Sequence, residues 1–137
     1  MVIIEIKREA NPQLINEDGN EVDEQDAMKL ADGITIPDDF TAYSQDLKFH
    51  RFLIKGYTKF KYEPAKKELF AVCRYESLRE LTSTEISQLV DYTQGQWSDG
   101  IGEGFEQEPC AHDDNGNELY ISPWTMGQTI TVKQYNA

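Results

Sequence analysis

Residues 67–75 carry apolar side chains at both parities of one short run, with Leu69, Ala71 and Cys73 on one side and Phe70 and Val72 on the other. Successive side chains of a strand point to opposite faces of its sheet, so a run that is apolar on both faces predicts a central position in the sheet. Residues 51–62 read as its partner. There Phe52, Ile54, Thr58, Phe60 and Tyr62 fall on one face, and Arg51, Lys55, Lys59 and Lys61 on the other. A helix beginning near Asp46 fits the same stretch, because Phe49, Phe52, Leu53, Gly56 and Phe60 keep helical spacing; Gly56 and Thr58 favour the strand. With a turn over residues 63–66, this predicts a hairpin that has one basic face.

The rest of the chain fits around that hairpin. Val2 to Lys7 alternates and is rich in β-branched residues, which reads as a first strand. Asp18-Gly19, between residues 14–16 and 21–22, suits a tight turn with positive φ. Asp23 is placed to cap a candidate short helix over 24–31 that ends near Gly33, and residues 34–43, with Pro37, read as an irregular connection. Thr82 and Glu85 form a T-x-x-E capping box, with Leu81 placed to staple onto Ile86. Ile86, Leu89, Val90 and Thr93 keep helical spacing up to Gly95, so a helix is expected over 83–94. Asp114-Asn115-Gly116-Asn117 is a second tight-turn signal, and residues 118–122 and 129–134 read as a closing hairpin. The fold class is therefore α+β, a mainly antiparallel sheet with one well-defined helix and a second short one, in a single domain spanning 1–137.

Charge narrows the function. The net charge is −12, yet residues 48–79 hold 9 bases against 3 acids, whereas residues 1–47 hold 12 acids and 3 bases and residues 80–137 hold 10 acids and 1 base. Such a chain repels nucleic acid and anionic membrane over most of its surface and attracts a basic protein surface. No apolar run reaches the roughly 18 residues of a membrane span, and Lys7 and Arg8 follow the first apolar run where a signal peptide has none, so a cytoplasmic protein is expected. Cys73 and Cys110 are too few for a disulfide framework and are expected as thiols.

The most distinctive segment runs from Tyr92 to Gln107, with four glycines, Trp97, Phe105, Asp99, Glu103 and Glu106, and no Lys, Arg or His. A phosphate cradle normally adds a cation to its backbone amides, so nucleotide binding is not indicated. Three carboxylates can surround a hard cation, but their spacing is not that of an EF-hand loop. Cys110-Ala111-His112 lacks the second ligand pair of a zinc site, and His50 and His112 alone do not make a triad. Gly95 to Gln107 resembles a G-Q-x-S-D-G-x-G-E-x-x-E-Q run of small uncharacterised proteins of bacteria and their mobile elements. That resemblance covers 13 of 137 residues and implies a bacterial or phage accessory protein; it carries over no activity, cofactor or catalytic residue.

The sequence is thus read as a non-enzymatic acidic protein, without cofactor or metal, that inhibits a basic or nucleic-acid-handling protein in the manner of phage or mobile-element anti-defence proteins. Its expected binding residues are Trp97, Asp99, Glu103, Phe105, Glu106 and Glu108. An immunity protein for a co-encoded toxin is the near alternative. A carboxylate-based or metal-dependent enzyme centred on Asp99, Glu103 and Glu106 is the alternative of another class.

Overall fold

The two most apolar strands of the sequence lie side by side. In the computed structural model, which describes residues 1–10, 14–38, 47–99, 111–113, 115–121 and 128–137, with the side chains of 24, 36–38, 94–99, 111 and 121 set aside, the order is β1 (Val2–Glu9), β2 (Leu14–Asn16), α1 (Glu24–Ala31), β3 (Thr35–Asp38), β4 (Leu53–Glu63), β5 (Glu68–Ser77), α2 (Ser83–Asp99), β6 (Ala111–His112), β7 (Glu118–Ile121) and β8 (Thr129–Asn136). A five-stranded antiparallel sheet has the order β3-β4-β5-β1-β8, and a small three-stranded sheet the order β2-β7-β6. The connections β1-α1-β4 and β5-α2-β8 each return the chain two places away in the large sheet, leaving one strand between. That is the interlocked split β-α-β arrangement of ferredoxin-like folds.

One face of the large sheet builds the core. Val2, Ile4 and Ile6 of β1, Phe60 of β4 and Ala71, Cys73 and Tyr75 of β5 join Ala27 and Ala31 of α1 and Leu89 and Tyr92 of α2 in a single buried cluster. A charged group reaches into it. Arg8, only 1% exposed, donates from Nε to the Thr93 hydroxyl (3.1 Å) and from Nη2 to the Val90 carbonyl oxygen (2.6 Å), tying β1 to the underside of α2. Burial lowers its pKa from the usual arginine value, against the opposing influence of Cys73, Asp91 and Tyr75. The opposite face carries Lys55, Lys59 and Lys61, all exposed, with Glu5, Lys7, Tyr57 and Arg74 half-buried among them.

Several expectations are corrected. Residues 53–63 are a strand, preceded by one 3-10 turn over His50–Phe52, but the register slips between Leu53 and Lys55. That irregularity buries Leu53 and leaves Ile54, expected on the inner face, 48% exposed. Residues 35–38 are not irregular; they form edge strand β3 against Gly56–Lys59, and an edge position accommodates Pro37, which has no N–H to give. The closing hairpin does not form, since β7 lies between β2 and β6 while β8 pairs with β1. The buried β1 needs hydrogen-bond partners on both sides, and β8 satisfies its second edge along nearly its whole length. Finally, α2 continues past Gln94 and Gly95 to Asp99. A glycine inside a helix costs only about 1 kcal/mol relative to alanine, too little to stop a helix so firmly started.

That start is the capping box with two additions. Glu85 N–H donates to Thr82 Oγ1 (3.2 Å), and Thr82 N–H donates back to Glu85 Oε1 (3.0 Å). Arg79 grips the same carboxylate with both terminal nitrogens (2.8 and 2.7 Å) while its guanidinium lies 4.2 Å over the Phe52 ring. The Gln134 side-chain amide of β8 satisfies both backbone groups of Leu81, accepting from its N–H (2.7 Å) and donating to its carbonyl (3.1 Å). Arg79, first, and the Thr82 amide, second, hold the Glu85 carboxyl at about 2.

Replacing Thr82 with alanine removes one capping bond and should lower unfolding stability by about 1 kcal/mol, read from the denaturant midpoint at unchanged slope. Glu85 predicts a pH dependence. Its folded pKa of about 2 lies below the ordinary 4.5, so its contribution is complete above about 4.5 and is lost as pH falls toward 2. Glu85→Gln should flatten the stability profile across that window, and an unchanged acid limb would remove Glu85 from the cause.

Candidate functional site

Two tight turns from distant parts of the chain meet beside the small sheet. In the first, Asn16 Oδ1 accepts from the amides of Asp18 and Asn20 (both 3.0 Å), and Gly19 takes the left-handed φ of 80° that this turn requires. In the second, Asp113 Oδ1 accepts from the amides of Asn115 (3.0 Å) and Asn117 (2.8 Å), Oδ2 accepts from the Asn117 side chain (3.1 Å), and Gly116 has φ 83°. These donors, the Asn117 amide foremost, hold the Asp113 carboxyl below its usual pKa. The Glu118 amide donates to Glu17 Oε1 (3.3 Å), and the Tyr120 hydroxyl donates to Glu118 Oε2 (3.1 Å), which raises the tyrosine pKa. Pairing of β2 with β7 fixes this contact.

The result sets Glu17 beside Glu118, and Asp26 and Asp113 along one groove. Between the turns and α1 runs a groove of about 360 Å³ lined by Asn16, Val22, Asp26, Lys29, Leu30, Asp113, Asn115 and Leu119, with Asp26 and Lys29 exposed and Leu119 buried. An apolar lining with carboxylates suits a lysine or arginine side chain, whose aliphatic stem needs apolar cover and whose head needs an anion.

The basic segment lies elsewhere in the fold, on β4. Lys55, Lys59 and Lys61 project from β4 on the open face of the large sheet, where a second groove of about 450 Å³ runs past Tyr57, Lys59, Lys61, Val72 and Arg74. None of these three lysines has an ion-pair partner among the described residues. Arg51 is not among them; it sits on the 3-10 turn with its guanidinium 4.9 Å over Phe52. The neighbouring charges are engaged. Glu5 meets Arg74 (3.5 Å) and accepts from the Tyr135 hydroxyl (2.6 Å), while Lys7 lies 3.6 Å from Glu63 and 4.3 Å over the Phe70 ring. Single-stranded nucleic acid is read from a sheet by aromatic rings open to stacking. On this face Phe70 is buried at 5% exposure and Tyr57 is half-buried, while Tyr135, 40% exposed, is tied through its hydroxyl to Glu5.

Of the residues expected to bind, Trp97 and Asp99 lie in the last turns of α2, with side chains outside the described set, and Glu103, Phe105, Glu106 and Glu108 lie outside the described residues altogether. The structure instead brings together Asp26, Asp113, Val22, Leu30 and Leu119, which the sequence reading did not select. Their only signal was the pair of turn dipeptides, each legible by itself and neither indicating the other. Among the described residues no three His, Cys, Asp or Glu side chains are placed to hold a metal ion. His50 Nδ1 lies 2.8 Å from the Leu47 carbonyl oxygen, and the buried Cys73 sulfur accepts from the Thr58 hydroxyl (3.3 Å); Cys110 lies outside the described residues. No helix among the described residues is long and apolar enough to cross a membrane.

Since neither the Asp99–Glu106 segment nor the two turns has a recognised cation-ligand spacing, millimolar calcium, magnesium or zinc should leave the melting temperature unchanged within error. A rise of several degrees that disappears in Asp99→Asn would instead establish a metal site there. No family model, curated protein or solved structure matched this chain, so its functional reading rests on its own residues and geometry.

Proposed function

We propose that this chain is a non-catalytic acidic binding protein that docks on a basic or nucleic-acid-handling protein and inhibits it, as a cytoplasmic anti-defence protein of a phage or mobile element does. The observation that carries this reading is the groove between α1 and the two turns, lined by carboxylates and apolar side chains. Its shape and charge suit the lysine and arginine side chains with which a protein grips phosphate backbones. A ligand occupying those side chains competes directly with nucleic acid. The acids of residues 99–108 extend the same reading, with Trp97 and Phe105 as hydrophobic anchors.

The test is kinetic. Once a partner is retained from host lysate on the immobilised chain and identified, its association rate should fall steeply from low to physiological ionic strength, where the Debye length is about 8 Å, while dissociation changes less. Asp18→Asn, Glu21→Gln and Asp26→Asn remove charge from exposed positions whose side chains make no hydrogen bond among the described residues. Together they should slow association by about tenfold, the lower end of electrostatic steering, with the melting temperature retained. An association rate indifferent to salt and to these changes, but sensitive to Lys55, Lys59 and Lys61, would transfer the binding role to the open sheet face.

A further inference from the structure

The two edges of the large sheet are built differently. At one edge β3 is four residues long and contains Pro37, two features by which proteins keep an edge from recruiting another strand. At the other edge β8 runs for eight residues, Thr-Ile-Thr-Val-Lys-Gln-Tyr-Asn, without proline or glycine. Ile130, Val132 and Tyr135 on it are each at least 40% exposed. The Ala137 amide donates to the Met1 carbonyl oxygen (3.0 Å), and the register continues from that pair through Tyr135 opposite Ile3 and Lys133 opposite Glu5. Because hydrogen-bonded and non-hydrogen-bonded pairs alternate along an antiparallel ladder, residues 133 and 135 address β1. Val132, Gln134 and Asn136 therefore point their backbone N–H and C=O groups away from it. Among the described residues nothing pairs with that side.

We infer that β8 is a self-association edge, on which a second copy of this chain adds its own β8 antiparallel about a two-fold axis at Gln134. This register uses the regular part of the strand, beyond the irregularity between Lys7 and Arg8. It joins Val132 to Asn136 and Gln134 to Gln134, so every outward backbone group of the three residues finds a partner. It also sets Lys133 of each copy across from Tyr135 of the other, on the face where the Tyr135 hydroxyl already donates to Glu5. The ammonium thus meets an aromatic ring with a carboxylate beside it, which is the charge complementarity that selects this occupant and this register. A sheet-edge contact of this length is small, and each chain carries a net charge of −12, so the dimer is weak and is strengthened by salt.

Sedimentation equilibrium of the intact chain across a rising concentration series tests this. The weight-average mass should climb from monomer towards dimer, and at lower concentration when sodium chloride is added, the reverse of the salt effect expected for a basic partner. Val132→Pro removes an outward N–H and no bond to β1, and Tyr135→Lys sets lysine against Lys133. Each should weaken dimerisation at least tenfold while the melting temperature of the dilute chain is kept. Adding Lys133→Glu to Tyr135→Lys places opposite charges across the axis and should restore association. A chain that remains monomeric at every concentration and salt level, or a dimer indifferent to these substitutions, overturns the inference. The docking reading of the acidic groove stands or falls separately, because none of these residues lines it.

Discussion

The buried guanidinium of Arg8 is the constraint around which the two layers are arranged. A charge at 1% exposure has lost its hydration, and what replaces water here is the Thr93 hydroxyl and the Val90 carbonyl oxygen of α2. Removing the side chain leaves more than a cavity, since the helix oxygens it serves stay inside the protein. A lysine is not equivalent, because one ammonium on a flexible stem does not present the forked donors that engage the Thr93 hydroxyl and the Val90 carbonyl oxygen of one helical turn together. Arg8 therefore fixes where α2 crosses β1, and the other helix anchors follow from that placement. Gln134 reaches Leu81 from the neighbouring β8, and Arg79, lying over the Phe52 ring, holds the Glu85 carboxylate.

What could be read from the sequence was what neighbours in the chain decide. The Thr82–Glu85 cap lies within one helical turn, and the hairpin of β4 and β5 turns over residues 63–67, so local chemistry settled both. Asp23 capping α1 through the Gln25 amide and Gly33 adopting φ 85° after it belong to the same class. The departures are non-local. Ile54 turns outward because Leu53 takes the buried position, a choice made by packing across the sheet, which the alternation of residues 51–62 does not encode. The pairing of β8 with β1 spans the whole chain and displaced the nearer partner that a hairpin offered. The candidate groove is non-local in the same way, since residues near 16–30 and near 113–119 become neighbours only after β2 pairs with β7. Acidity was legible from composition. Its assembly into a groove with an apolar lining was not.

The placement of charge follows from topology. The inner face of the large sheet must be apolar to meet the helices, so the lysines that alternate along β4 have only the open face to occupy. The turns of the small sheet need Asn, Asp and Gly for their backbone geometry, and their meeting brings Glu17 and Glu118 together. Two structural requirements thus place the β4 lysines on an open face that they share with Glu5, Glu9, Glu63, Glu68 and Glu76, and further carboxylates at the turns. Under the docking proposed above, a partner with a basic surface would be drawn to the carboxylates of the turns before any side chain touches, and short-range fit would be left to the groove. On the proposed reading, the carboxylates of the turns would offer the basic surface of a nucleic-acid-handling protein an acidic substitute for its ligand.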